Sequence, residues 1–418
     1  MSTDSNPPAP PGHDPYAALR YRDFRLLWLG SFVATLGEQM VGVAIGWELY
    51  ERTGSDLALG LVGLAQVLPV LVLSLPAGNI SDVYNRKAIV LISETAAGVG
   101  ALGLALVSYW QGPVALVYGL LCLIGAARAF SSPASSALLP SSVPPAAFGS
   151  AATWSSSAWQ FASVLGPALG GLIIAVFHTA TPVFLVSAGT CLIYWVLVVL
   201  LKGRPLALSK QRASLKSLLE GVAFIRRTQI ILATITLDLF AVLLGGAVTL
   251  LPVYAKDILA VGPAGLGVLQ AAPSIGAVLM GVVLAHLPPF RRAGLVLLAA
   301  VAGFGVATIV FGLSTSFWLS LLMLAALGAL DNISVVIRNS LVLFLTPDDM
   351  RGRISAVNNI FIGASNQLGG FESGLTAQLF GPVWSVVGGG IGTVVVVLLV
   401  ALAWPEIRRL RRLSGEPT

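Results

Sequence analysis

Twelve continuous apolar runs, each about 20 residues long, leave this chain very few folds to choose from. They cover residues 26–49, 57–80, 88–108, 114–135, 151–177 and 182–201, then 230–254, 266–286, 293–313, 317–336, 354–380 and 383–404. A run of that length crosses the hydrocarbon of a bilayer as one helix. Strands of a membrane barrel would instead be runs of about ten residues alternating polar and apolar. Here the runs are unbroken and rich in Gly and Ala, which suits close helix packing in lipid. Charged residues make up 10% of the 418, against about 25% in soluble domains. So few charges cannot cover a soluble surface of this size. The expected fold class is an all-α integral membrane protein with twelve transmembrane helices.

The basic residues orient the spans. With the N-terminus placed in the cytoplasm, 20 of the 24 Lys and Arg residues fall on the cytoplasmic side. Arg52 and Lys256 fall outside, and Arg128 and Arg338 within spans. That asymmetry obeys the positive-inside rule and supports an even span count. Both termini are expected in the cytoplasm. Residues 1–23 are expected to be a disordered tail, not a cleaved signal, because the first apolar run is too long and lacks a small-residue cleavage site. Residues 24–201 and 229–404 then form two six-helix bundles. Residues 202–228 form a cytoplasmic linker in which Leu215, Leu218, Leu219, Val222 and Phe224 recur at near-helical spacing, as in a surface amphipathic helix. Residues 405–418 are a basic tail. The halves echo each other weakly: residues 165–171 and 368–374 both open with Leu-Gly and end on Gly, at equivalent places.

Between the second and third runs stand Gly78, Asp82, Asn85, Arg86 and Lys87. They resemble the loop signature of the major facilitator superfamily, Gly-x-x-x-Asp-x-x-Gly-Arg-Lys/Arg. Asn85 replaces the second Gly, a mild departure if that position needs a positive φ, which Asn tolerates. The plain alternative is that the cationic pair only sets topology. Gly166, Pro167, Gly170 and Gly171 in span 5 are similar to the Gly-Pro-x-x-Gly-Gly element of exporter branches; ordinary small-residue packing is the alternative. The stretches 128–140, 329–339 and 346–353 resemble the bacterial branch holding the enterobactin exporter and the macrolide efflux pumps. The resemblance spans residues 19–405. It implies two pseudo-symmetric six-helix bundles with spans 1, 4, 7 and 10 around a central cavity, and Asp82 steadying a cytoplasmic gate.

Ionisable residues within the runs or just past their ends include Glu38, Glu94, Arg128, Asp238, Asp331, Arg338 and Glu372. Facing lipid, they would cost about 20 kcal/mol together on the insertion scale. They must line a polar cavity, pair, or sit near an interface. Glu38, Arg128, Asp238, Asp331 and Arg338 fall on the four expected cavity spans. A carboxyl taken out of water binds a proton more readily, so Asp238 and Glu38 are the leading expected proton carriers. Holding a cationic substrate or forming a structural pair are the alternatives. The resemblance gives Arg128 a coupling role; snorkelling to the interface is the alternative for both arginines. Asp331 and Arg338 share a helix face two turns apart, too far for a tight pair. Glu94, near the cytoplasmic end, is expected to be peripheral. Trp159, Phe161, Phe240, Asn358, Asn359 and Glu372 are candidate substrate contacts, with packing the commoner role for the aromatics.

Several chemistries lack their signatures. There is no phosphate-binding Gly-x-x-x-x-Gly-Lys-Ser/Thr. The three histidines, His13, His178 and His286, are dispersed, so no metal site is expected. No nucleophile elbow is present, and the chain is expected not to be an enzyme. The expectation is a cofactor-free, proton-gradient-driven antiporter exporting small amphiphilic molecules of drug, macrolide or siderophore type. It is expected as a monomer, multi-pass in the bacterial inner membrane, with a small-molecule substrate, protons and lipid as partners and no nucleic acid. An uptake symporter or facilitator, and a non-transporting receptor or scaffold, are the alternatives.

Overall fold

A computed structural model of the chain describes residues 14–202, 215–288, 290–347 and 350–410. Twelve long helices account for most of them. Spans 1 to 6 are Arg22–Thr53, Asp56–Val83, Arg86–Tyr109, Val114–Ser142, Phe148–Phe177 and Thr181–Val199. Span 7 begins as Gln229–Leu244, and spans 8 to 12 are Gly262–His286, Ala293–Leu313, Phe317–Leu345, Arg351–Phe380 and Pro382–Ala403. Several helices overrun their apolar stretches; span 4 reaches Ser142 and span 10 reaches Leu345. Apolarity stops at the first polar residues, but a helix satisfies its own backbone and continues. Short turns join neighbours, with left-handed φ values at Gly54 and His178 closing spans 1 and 5. Span 11 is unusually polar, carrying Asn358, Asn366, Gln367 and Glu372, and it packs against spans 2, 7 and 12.

Span 7 departs from the single run expected over 230–254. It breaks after Leu244 at Gly245-Gly246, then continues as a 3-10 turn Ala247–Leu250, a short turn Leu251–Val253 and a π turn Tyr254–Ile258. Two successive glycines and Pro252 weaken the helix here. The glycines are also required by close neighbours. A methyl group on Gly246 would stand 2.6 Å from the Gly369 carbonyl oxygen of span 11, and one on Gly245 2.7 Å from the Phe304 ring of span 9.

The expected disordered tail is too long at its C-terminal end. The Pro15 carbonyl accepts hydrogen bonds from Ser150 Oγ at 2.7 Å and Trp154 Nε1 at 3.0 Å, and Ala18 and Phe24 are fully buried against span 5. Residues 1–13 of that tail, residues 203–214 of the linker and residues 411–418 of the basic tail lie outside the described residues. The linker helix, Leu215–Arg227, buries Ile225 beside Ile231, Ile354 and Val357.

The apolar cores differ between the two ends of the molecule. Away from the basic loops, one continuous core joins the halves, from Met40 and Leu59 through Tyr254, Leu266 and Phe311. At the basic end the first half has its own clusters around Val90, Tyr194 and Phe24, and the second half its own around Leu297, Ile337 and Ile354. The halves are therefore closed together at one end and separate at the other. Glycines make the closure possible. A methyl on Gly374 of span 11 would lie 2.7 Å from Gly60 Cα of span 2, and one on Gly171 of span 5 2.9 Å from Gly267 Cα of span 8. Tyr50 donates a hydrogen bond to Asp257, Lys256 stands 5.7 Å over the Tyr50 ring, and Ser55 meets Gln378 at 3.0 Å. Gly171→Leu should hold this end apart. Spin labels on spans 5 and 8 should then report a longer distance than in the parent protein, and an unchanged distance would refute the account of the closure.

Candidate functional site

The charged residues within the spans assemble into two related sets. Glu38 of span 1 forms an ion pair with Arg128 of span 4, and Asp238 of span 7 forms one with Arg338 of span 10. Spans 1 and 4 occupy in the first half the places of 7 and 10 in the second, so the pairs are pseudo-symmetric. Pairing answers the cost of charge in lipid. Neither guanidinium needs to snorkel; each finds its acid on the facing helix. Asp331 lies two turns before Arg338, and among the described residues it makes neither an ion pair nor a hydrogen bond. The partner of Arg338 is Asp238 across the bundle, not Asp331 along the helix.

Each set holds one further acid. In the first half it is Glu94 of span 3, and this corrects its expected peripheral place. Its side chain is only 9% exposed and lines the same cavity as Glu38 and Arg128. In the second half it is Asp331, which shares a small void with Asp238 and Ser334. Both halves therefore carry two carboxyls and one guanidinium.

Size separates the two sets. The void beside Asp238 and Asp331 measures about 10 Å³, room for roughly one water molecule. The cavity beside Glu38, Glu94 and Arg128 measures about 260 Å³ and reaches Gln39, Gln66 and Gln367, the last from the opposite half. The pairs also differ in access. The side chains of Glu38 and Arg128 are 44% and 42% exposed, against 9% for each of Asp238 and Arg338.

Asn85 in the loop after span 2 does not take a positive φ. Its φ is −63°, and its Oδ1 accepts the Lys87 backbone N–H at 3.0 Å, capping span 3. Asn thus replaces Gly here as a helix cap. Arg86 donates to the Ala137 carbonyl of span 4 at 3.3 Å. Lys87 donates at 2.8 Å to the Val199 and Leu201 carbonyls that end span 6, where a cation also meets the negative end of the helix dipole. Gly78 lies within span 2, its carbonyl accepting from Ser81 at 2.8 Å. The side chain of Asp82 lies outside the described set, as does that of Asn359.

In span 5, Gly166 and Gly170 face span 1 at Gln39 and Met40, Gly171 faces span 8, and Pro167 is buried between them. None of Trp159, Phe161, Phe240, Asn358 or Glu372 lines the 260 Å³ cavity. Trp159, Phe161 and Phe240 are 57%, 63% and 40% exposed, and Glu372 sits in a separate groove with Trp384 and Ser385. Sequence reasoning missed the Tyr50–Asp257 contact and the cavity role of Gln39 and Gln66. Asp257 beside Lys256 was a visible signal, because acids are scarce in this chain. The glutamines gave none, since one polar residue in an apolar run does not reveal which way it faces.

With this geometry in view, the chain matches the family model described as Major Facilitator Superfamily over residues 27–370. It is 28% identical over 398 residues to the protein named enterobactin exporter EntS of Citrobacter koseri, covering 93% of each chain. It is 27% identical over 404 residues to the EntS of Shigella boydii serotype 18, covering 94% of this chain and 95% of that one. Among solved structures, a bacterial homologue of the human lysosomal transporter Spinster in an inward-facing, occupied conformation superposes with a TM-score of 0.74 at 14% identity, covering 97% of this chain and all of that one. The nucleoside transporter NupG gives 0.71 at 13% identity, covering 93% and 100%. At such identities the structural likeness speaks for the fold alone.

Proposed function

Because the chain belongs to the major facilitator superfamily and is a multi-pass membrane transporter, we propose that it exports a small amphiphilic cation in exchange for protons. The difference in size between the two charged sets carries this reading. A set of two carboxyls and one guanidinium is one negative charge in excess, and low-dielectric surroundings favour neutrality. In the second half no organic cation fits, so the excess acid beside Asp238–Arg338 takes a proton. In the first half the excess acid faces 260 Å³, and the cationic group of a substrate neutralises it there. Loading one site as the other empties holds the interior at one net negative charge at each stage of alternating access, never two.

This refines the sequence expectation that Glu38 and Asp238 lead in proton transfer. Each has an arginine counter-charge, whereas Asp331 has no ion-pair partner among the described residues. Glu38–Arg128 and Asp238–Arg338 act as couplers that open and re-form as the halves rock. The relatives named as enterobactin exporters support outward direction. The basic loops support the reading that both termini lie on the cytoplasmic side of a bacterial inner membrane. The end that stands apart is then cytoplasmic, as an exporter awaiting cargo requires.

The test uses inverted membrane vesicles, whose cytoplasmic face is outside. Acidifying the lumen should drive accumulation of a lipophilic cation such as ethidium, and a proton ionophore should abolish it. Accumulation that ignores the pH gradient would defeat the antiport reading; accumulation that occurs only with the opposite gradient would favour uptake instead.

A further inference from the structure

Between spans 3 and 6 lies a second, apolar cavity of about 400 Å³. Val99 and Leu102 of span 3 and Leu185 and Leu192 of span 6 line it, each 47–62% exposed on a helix that spans the membrane. Lipid is what touches such surfaces. Glu94 and Cys191 line this groove and also the polar central cavity, forming the wall between them. Cys191 stands beside Glu94 in both linings, and no cation is paired with the Glu94 carboxyl among the described residues. An acid without a counter-charge, at the inner end of an apolar groove facing lipid, suits a molecule that is apolar at one end and cationic at the other.

We propose that this groove is a lateral binding site through which an amphiphilic cation leaves the bilayer, its apolar part between spans 3 and 6 and its charge on Glu94. The proposal rests on the export reading for its direction. It adds the site and the route: cargo reaches the central cavity sideways from the membrane, past the Glu94–Cys191 wall.

The test measures equilibrium binding of tetraphenylphosphonium, whose charge no pH change removes, to the full chain in lipid nanodiscs. Glu94→Gln keeps shape and removes charge. Gly189→Leu fills the groove, because Gly189 lines it and a Cβ there meets no atom within 4 Å. Each substitution should weaken binding at least about tenfold without lowering the unfolding temperature. Wild-type binding by either variant, or no binding by the parent, overturns the proposal. Weakening by Gly189→Leu alone also overturns it, since that result describes a groove for acyl chains with no role for the acid. No gradient is present in this experiment. A protein that binds through Glu94 and the groove but does not pump would sink the export reading only; a pump that answers to Glu94→Gln but is indifferent to Gly189→Leu would sink the groove only.

Discussion

Asp331→Asn should abolish pH-driven accumulation, bringing it to the level of vesicles without the protein, while exchange of labelled for unlabelled substrate continues. Asn has the shape of the protonated acid and no charge to lose. The variant is thus fixed in the proton-loaded form of the second-half set. Its halves can still rock, and its first-half cavity is untouched, so substrate can cross in both directions. The free energy of the proton gradient no longer enters the cycle. Loss of both activities would instead make Asp331 a structural residue, and loss of neither would return proton transfer to Asp238 or Glu38.

The second large effect concerns stability. The Asp238–Arg338 pair is nearly inaccessible, with side chains 9% exposed. Removing one member of such a pair leaves a buried charge without its partner, at a cost of about 3–5 kcal/mol. The two members should not be equivalent. Arg338→Leu leaves Asp238 and Asp331 both uncompensated, whereas Asp238→Asn leaves Arg338 near one remaining acid. Unfolding in detergent should show the arginine variant as the weaker one. The double variant Asp238→Asn, Arg338→Leu should recover much of the loss. The matching pair in the first half should behave differently. Glu38 and Arg128 are 44% and 42% exposed beside a cavity of about 260 Å³, large enough to admit water to either charge, so Glu38→Gln or Arg128→Leu should cost no more than about 1 kcal/mol. Equal losses in the two halves would contradict the difference in access on which the division of labour rests.

The fold was legible because its signals are local. An apolar run either is or is not long enough to span, and the basic residues mark one side independently of any contact. The charged residues were legible as a set for a similar reason: a charge inside an apolar run is costly wherever it faces. Which charges meet was not legible. Glu38 is 90 residues from Arg128, and Asp238 is 100 residues from Arg338; only the bundle brings them together. Glu94 was misplaced because distance along a helix from the membrane edge says nothing about which flank it shows its neighbours. The break in span 7 was written in Gly245-Gly246 and Pro252, yet the surrounding residues are apolar enough to read as one span. Asn85 was read through the position it replaces, although its side chain offered a capping role of its own.

The central claim is that a proton site in the second half and a cation site in the first are emptied and filled in alternation. The most direct measurement loads purified protein into liposomes with a pH indicator inside, equal pH on both sides and a potassium ionophore to clamp the voltage. Adding a lipophilic cation outside should then drive protons out of the lumen, raising its pH, in the parent protein but not in Asp331→Asn. Cation entry with no change in luminal pH, or with protons entering alongside it, would contradict the account.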